Sequence, residues 1–193
     1  MSFLRAVLPW FLIAFWVPAA AGWDPRNAAS PVPPSVRDAK VRGAILAFLR
    51  KDPEMQRFFD KAHGYAVFPT VGKAGMGLGG AFGKGRVYRQ GRYIGDASLT
   101  QLTLGFQLGG QAYSEVIFFG DRAALERFTS GNFAFSAQAS AVAATAGASA
   151  DADYEGGVAV FTLAKGGLMY EASIGGQKFH FTPADDRKRL SRR

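Results

Sequence analysis

The residues whose spacing most resembles a chemical motif form a G-x-G-x-x-G pattern, the fingerprint of dinucleotide sites: Gly75, Met76, Gly77, Leu78, Gly79 and Gly80. That chemistry requires a helix to begin at the motif, so that its first amides face the pyrophosphate. The chain instead continues with further glycines at 83, 85 and 91, where no helix can be placed. Glycine at alternate positions predicts a strand with one bare face, which another element or a lipid can approach closely.

Patterns for catalysis or metal binding are sparse. The chain has two His and no Cys, and it contains neither H-E-x-x-H nor G-x-S-x-G. We interpret His63 and His180 as ordinary boundary residues. Asp151, Asp153 and Glu155 form a solvated turn in this interpretation, because the glycine and glutamate of a calcium loop are absent at the required offsets. We therefore expect no enzyme activity, no metal and no cofactor.

One basic cluster stands out, because 20 consecutive residues contain five cations and no acid: Lys73, Lys84, Arg86, Arg89 and Arg92. Each residue alone can be a solvated strand or loop end. Together, on adjacent hairpins, they predict a positive patch for phosphate head groups, each cation contributing about 1 kcal/mol near an anionic surface.

A second basic set, Arg37, Lys40 and Arg42, lies on the polar face of the first predicted helix. That helix can either pack on the core or lie on an anionic bilayer. We favour core packing, because a solvated basic face on a core-packed helix is the commoner arrangement. These three residues are then a secondary membrane contact.

The two ends of the chain differ from its body. Residues 1–21 have the features of a signal peptide: Arg5, an uncharged run at 6–17, and small residues at 19–21. A retained anchor is the alternative, but this run of 12 residues is shorter than the ~20 needed to span hydrocarbon. Residues 22–34 are expected to form a flexible leader, and residues 183–193 are expected to form a basic disordered tail.

The formal charge of +8 is concentrated at these ends. Without Arg5 and the five basic residues at 187–193, only +2 remains for residues 22–186. The body is therefore only mildly basic. Because the signal segment indicates export, we expect the protein to be periplasmic and peripherally associated with the membrane. This location argues against nucleic acid as a partner.

Three helices are predicted. Residues 36–50 form the first, with a Ser35 cap and an apolar face at helical spacing: Val41, Ala44, Ile45, Phe48 and Leu49. Asp52-Pro53 begins a second, which turns Met55, Phe58 and Phe59 inward. Asp121 caps a short third helix that ends near Phe128 and buries Leu125.

Glycine-punctuated apolar runs predict strands at 65–71, 75–83, 86–95, 101–110 and 114–120. The alternation of Leu102, Leu104, Phe106 and Leu108 with small or polar residues predicts a strand with one face in a core. Further strands are predicted within 137–153, 157–176 and 177–181. The fold class is α+β, with a mostly antiparallel, Gly-rich, curled or barrel-like sheet, two N-terminal helices and one short inserted helix.

Several ordered segments give this pattern a family resemblance. AHGYAVFPTVGKAGMGLGGAFGKGRVY at 62–88 resembles the hallmark of the SYLF family, and the segments at 102–119, 124–135 and 166–179 match in order and spacing. The resemblance covers nearly all of the predicted domain, residues 35–182.

The resemblance implies a lipid-binding domain without established catalytic residues. Eukaryotic members bind phosphoinositides and some bind actin, whereas bacterial members are exported envelope proteins. Membrane contact is thought to use an N-terminal helix and basic residues, here 36–50 and the cluster from Lys73 to Arg92. Many bacterial relatives resemble lipoproteins, and this chain lacks their cysteine, so we expect reversible binding.

The expected function is binding of anionic phospholipid in the bacterial envelope. The alternative is a structural or protein-interaction module that uses the same basic surface.

Overall fold

The computed structural model describes residues 36, 38–76, 78–104, 110–131, 133–136, 139–166 and 172–185. The predicted signal segment, the leader, Arg37 and most of the predicted tail lie outside these residues. Three helices and one mostly antiparallel sheet, curled into a half barrel, make up an α+β fold. The expected fold class is confirmed at this level.

The first two helices lie before the sheet and the third is inserted in it: α1 is Ala39–Lys51, α2 is Gln56–Lys61 after a 3-10 turn at Pro53–Met55, and α3 is Arg122–Thr129. Helix α1 begins three residues later than predicted, because Asp38 provides the cap: its Oδ1 accepts hydrogen bonds from the amides of Lys40 (2.9 Å) and Val41 (3.1 Å). All five residues predicted to face the core from this helix are buried. Helix α1 therefore packs on the protein.

The strands are β1 Gly64–Met76, β2 Leu78–Arg89, β3 Arg92–Leu104, β4 Gly110–Phe119, β5 Phe133–Ala134, β6 Ser140–Ala143, β7 Val158–Ala164, β8 Ala172–Ser173 and β9 Lys178–Pro183. Their order in the sheet is β5-β9-β3-β2-β1-β4-β7-β6-β8. Only the β6–β7 pair, among these strands, is parallel. Strands β1 to β4 are the longest and form the centre of the sheet.

Four long strands replace the five short runs predicted between 65 and 120. The predicted strand 86–95 is wrong where it crosses the turn at Gln90 and Gly91, both of which have positive φ. The strand predicted at 75–83 likewise spans the hairpin end between Met76 and Leu78. The predicted runs 75–83 and 86–95 left out Lys84 and Gly85, whereas both residues lie inside β2.

The Ala- and Ser-rich segment predicted as strands at 137–153 is a strand only at Ser140–Ala143 in the part that is described, and residues 146–151 form turns. A buried carboxylate explains this difference. Asp52 Oδ2 accepts a 2.7 Å hydrogen bond from the Ser149 amide, which fixes the turn beside the start of the 3-10 segment. A contact between residues 97 positions apart in the chain cannot be recognised from the local sequence.

A proline interrupts the hydrogen-bond ladders of the central strand. Pro69 lies inside β1, between β2 and β4, and it has no amide to donate to either neighbour. Both ladders shift register here, between Val67 and Thr70 on the β2 side and between Phe68 and Val71 on the β4 side. The Phe-Pro pair of the segment 62–88 thus lies at a register shift in both ladders, the kind of irregularity that locally increases strand twist.

The two faces of the sheet pack differently. We call the face toward α1 and α2 the outer face and the face toward α3 the inner face. Buried outer-face residues include Tyr65, Val67, Tyr88, Phe118 and Phe161. Buried inner-face residues include Phe68, Leu99, Ile117, Phe119 and Phe179. The two sets alternate along each strand, as the pleat requires.

The inner face is closely packed around Gly85, whereas the helices cover only part of the outer face. A Cβ on Gly85 would lie 2.7 Å from Phe68 Cδ1, but a Cβ on Gly72 would meet nothing within 4 Å. Leu102 is 81% exposed, so the prediction that this side chain faces a core is wrong. The outer face is therefore open near the β2 and β3 ends that contain Phe82 and Leu102.

Candidate functional site

A cleft of about 500 Å³ lies where the start of α1 meets the outer face of β2 and β3. Its lining combines three basic residues, two acids and small polar groups: Lys40, Lys84, Arg86, Asp38, Asp96, Ser98 and Thr182, with Pro69, Val41, Gly85 and Ala97. A volume of this size is typical of ligand sites in proteins. The predicted cluster and the predicted helix set thus each contribute to one cleft.

Alternation along β2 places two of its three cations, Lys84 and Arg86, in this cleft. Lys84 and Arg86 share the outer face with Tyr88, which is buried and stacks on Tyr65 at 5.1 Å between ring centroids. Burial raises the pKa of the Tyr88 hydroxyl to about 12, so this side chain stays uncharged within the core. Because a one-residue slip would move every side chain to the other face, Tyr88 fixes the register that exposes Lys84.

Arg86 is held in place by acids from two other elements. Its Nη2 lies 2.8 Å from Asp38 Oδ2, and its Nε lies 4.0 Å from Asp96 Oδ1. The guanidinium also lies over the Tyr93 ring at 5.3 Å, and the Tyr93 hydroxyl donates to Asp96 Oδ1 at 2.9 Å. The cluster that is free of acids in sequence therefore has acids beside it in space, and the charge of Arg86 is offset.

Lys40 and Lys84 are different. Within the part of the chain that the structure describes, neither ammonium group lies within 4 Å of a carboxylate. Lys40 lines the cleft from the first turn of α1, and Lys84 lines it from β2. These two cations can bind an anion without first losing an ion pair.

Two cations that the sequence did not single out lie on the same face. Lys165 Nζ donates to Thr70 Oγ1 at 2.6 Å, and Thr70 is the cross-strand partner of Lys84. Lys178 on β9 is the cross-strand partner of Thr100 and is exposed. No local signal marks either residue, since 95 positions separate Lys165 from Thr70.

The other predicted site residues lie elsewhere. Lys73 is in register with Ala81 in the inner-face row. Arg89 and Arg92 flank the turn between β2 and β3, and Arg89 is about 17 Å along the strand from Lys84. Arg89 lines a hollow beside α3 with Leu125, away from the cleft. The structure therefore divides the five-residue cluster among three places.

The remaining motifs do not form chemical centres in the described residues. Met76 pairs with Leu78 in a hairpin, so the glycine pattern does not open a helix. Asp151, Asp153 and Glu155 are exposed, and the described residues contain no group of three or more potential metal ligands. No helix among them is both long and apolar enough to cross a bilayer.

Comparisons with known proteins agree with the motifs. The family model described as Ysc84, Las17-binding protein actin regulator, matches residues 100–188. Beta cell expansion factor A of Aeromonas veronii is 30% identical over 139 residues, which are 70% of this chain and 52% of the relative. The chain thus spans about half the length of the curated relative that it matches. The resemblance to the SYLF family is confirmed through the match at residues 100–188 and this relative, and the chain belongs to the SYLF family of lipid- or actin-binding domains.

Proposed function

We propose that this protein binds anionic phospholipid head groups in the bacterial cell envelope, without catalysis, as an exported and peripherally bound protein. The observation that carries the proposal is the cleft with two cations, Lys40 and Lys84, that no described carboxylate neutralises. Membership of a family that binds lipid or actin supports it. The bacterial relative supports a bacterial setting.

The cleft suits a phosphate ester for a chemical reason. Lys40 lines the cleft from α1 and Lys84 lines it from β2, and the Ser98 hydroxyl beside Lys84 can donate a further hydrogen bond. Asp38 and Asp96 hold Arg86 and repel an anion from that end. A bound phosphate is therefore expected near Lys84, with Arg86 as a fixed positive neighbour.

Two charge-matched double variants test the proposal on vesicles of phosphatidylglycerol or cardiolipin. Lys40→Gln with Lys84→Gln removes two charges from the cleft, and Arg89→Gln with Arg92→Gln removes two from the turn of the same hairpin. At roughly 1 kcal/mol per cation, the cleft pair should weaken binding by about tenfold or more. The turn pair should change it by less than about threefold.

Vesicle flotation and circular dichroism measure binding and fold in the same samples. Binding to neutral phosphatidylcholine vesicles should be weak, and salt should reduce binding to anionic ones. Equal losses in the two variants would favour the whole cluster from Lys73 to Arg92 over the cleft. An intact chain that does not float with anionic vesicles would show the proposal to be wrong.

A protein partner is the second candidate, and one observation favours it. The matching family model is described by its binding to Las17 and by actin regulation. An envelope protein could use the same basic surface in this chain. Loss of that interaction in the cleft variant, without any vesicle binding by the unaltered protein, would distinguish this alternative.

A further inference from the structure

The outer face of β2 and β3 changes in polarity along the strands. The register pairs Arg86 with Asp96, then Lys84 with Ser98, then Phe82 with Thr100, and finally Gly80 with Leu102. An ion pair is thus followed by a cation with no carboxylate within 4 Å among the described residues, then by an aromatic side chain and then by an aliphatic one. The same order of polarity occurs from water through the head groups to the acyl chains of a bilayer.

The two apolar residues at the end of this series are exposed. Phe82 is 53% exposed and Leu102 is 81% exposed, and they are diagonal neighbours on adjacent strands. Among the described residues only Tyr154 is a further exposed large hydrophobic side chain, at 37%. The two side chains together form a small apolar patch on the open part of the outer face, which makes this patch a candidate contact surface.

Cations flank this pair on both sides. One row across the outer face runs Lys178, Thr100, Phe82, Gly72, Ala112, and the amide of Lys165 donates to the Ala112 carbonyl at 2.9 Å. Lys84 lies in the next row toward α1. No acid occurs among the described residues of these two rows. Lysines around an apolar centre match the charge and polarity of an anionic bilayer surface.

We infer that Phe82 and Leu102 enter the interface of an anionic bilayer while Lys84, Lys165 and Lys178 contact its phosphates. This inference rests on the proposed function and adds the part of the protein that penetrates the membrane. The open end of the sheet then forms the membrane contact, and α1 stays packed on the core. Ile45, Phe48 and Leu49 need not leave the interior for binding.

Single cysteines can report penetration, because the chain has none of its own. Phe82→Cys and Leu102→Cys, each labelled with a polarity-sensitive fluorophore, should show a blue shift on phosphatidylglycerol vesicles and quenching by lipid-borne quenchers. Glu126→Cys on α3 is the control, since that exposed residue lies on the helix that packs against the inner face. Its fluorophore should remain in water.

A second pair of variants separates the apolar contribution from the electrostatic one. Phe82→Thr with Leu102→Thr should reduce vesicle binding about tenfold at high salt, where charge attraction is screened. Phe82→Leu with Leu102→Met keeps apolar side chains and should retain binding. Neither variant should alter the melting temperature much, because both side chains are exposed.

The possible outcomes distinguish this inference from the proposed function. If the protein binds anionic vesicles but labels at 82 and 102 stay in water, and the threonine variant binds normally, the inference is wrong and head-group binding stands. If the unaltered protein does not bind these vesicles, both fail. Blue shifts at 82 and 102 with an unchanged label at 126 support penetration at this end of the sheet.

Discussion

The inner and outer faces of the sheet are formed by the same strands but differ in how far their side chains are exposed to solvent. On the inner face, β4 buries Glu115 completely, beside Tyr113 and Gln177. On the outer face, β2 exposes Lys84 and Phe82 to solvent. Residues one position apart along a strand therefore experience a sealed interior or open water. Because of this difference, we expect substitutions on the inner face to change the free energy of unfolding. Substitutions on the open part of the outer face should change binding to vesicles.

The largest expected effect concerns Glu115. Gln177 Nε2 donates to its Oε2 at 3.0 Å, and Oε1 has no hydrogen-bond partner in the described part of the chain. Burial raises the pKa of this carboxyl from 4.5 to about 8, against a smaller lowering by the Gln177 hydrogen bond. Between pH 4.5 and about pH 8, Glu115 keeps its proton in the folded chain and releases it in the unfolded chain. The free energy of unfolding should therefore fall as pH rises, by about 1.4 kcal/mol per pH unit.

Denaturant unfolding between pH 5 and pH 8 measures this slope. Glu115→Gln removes the titrating group and should remove most of the slope, so its stability relative to the unaltered chain increases with pH. Glu126→Gln, on the exposed surface of α3, is the control and should keep the slope. A slope that persists in Glu115→Gln would mean that another group titrates.

A smaller effect is expected from a single methyl group on each face. Gly85→Ala places a Cβ against the Phe68 ring and the Val67 carbonyl, each at 2.7 Å. Overpacking of this kind should lower the free energy of unfolding by about 1–3 kcal/mol. Gly72→Ala, with nothing within 4 Å of the added Cβ, should be neutral or slightly stabilising. Equal destabilisation by the two substitutions in urea unfolding would contradict the difference between the faces.

The smallest effect is expected in the cleft. Asp96→Asn removes one acid beside Arg86 and keeps an oxygen for the Tyr93 hydroxyl. A less neutralised Arg86 should strengthen binding to anionic vesicles by about two- to fivefold. Asp60→Asn on the exposed surface of α2 makes the same change in net charge and should have little effect. Identical gains in the two variants would show that only net charge matters.

Local patterns in the sequence predicted much of the helical part. The helical spacing of Val41, Ile45 and Phe48 identified the buried face of α1, because a core-packed helix must repeat its apolar residues with its own period. Asp121 was correctly identified as the cap of α3, since its side chain accepts from the Ala124 amide at 2.7 Å. Both signals lie within a few residues of the structure that they specify.

The ends of the long strands were harder to predict. Glycine permits a turn, but it also permits close packing inside a strand, and only the Phe68 ring over Gly85 shows which of these applies. The exposure of Leu102 could not be predicted either, for a different reason. Its alternation matches that of a core strand, and only the tertiary structure shows that this side chain is exposed.

The sequence by itself determined the α+β class, the family, and the presence of cations near the glycine-rich strands. Only the tertiary structure decided which cations lie together. It brought Lys40, Lys165 and Lys178 to the face that carries Lys84, and it placed Asp38 and Asp96 beside Arg86. The physical reason is that charges interact through space over distances of a few ångströms, while strand pairing joins residues that are far apart in the chain.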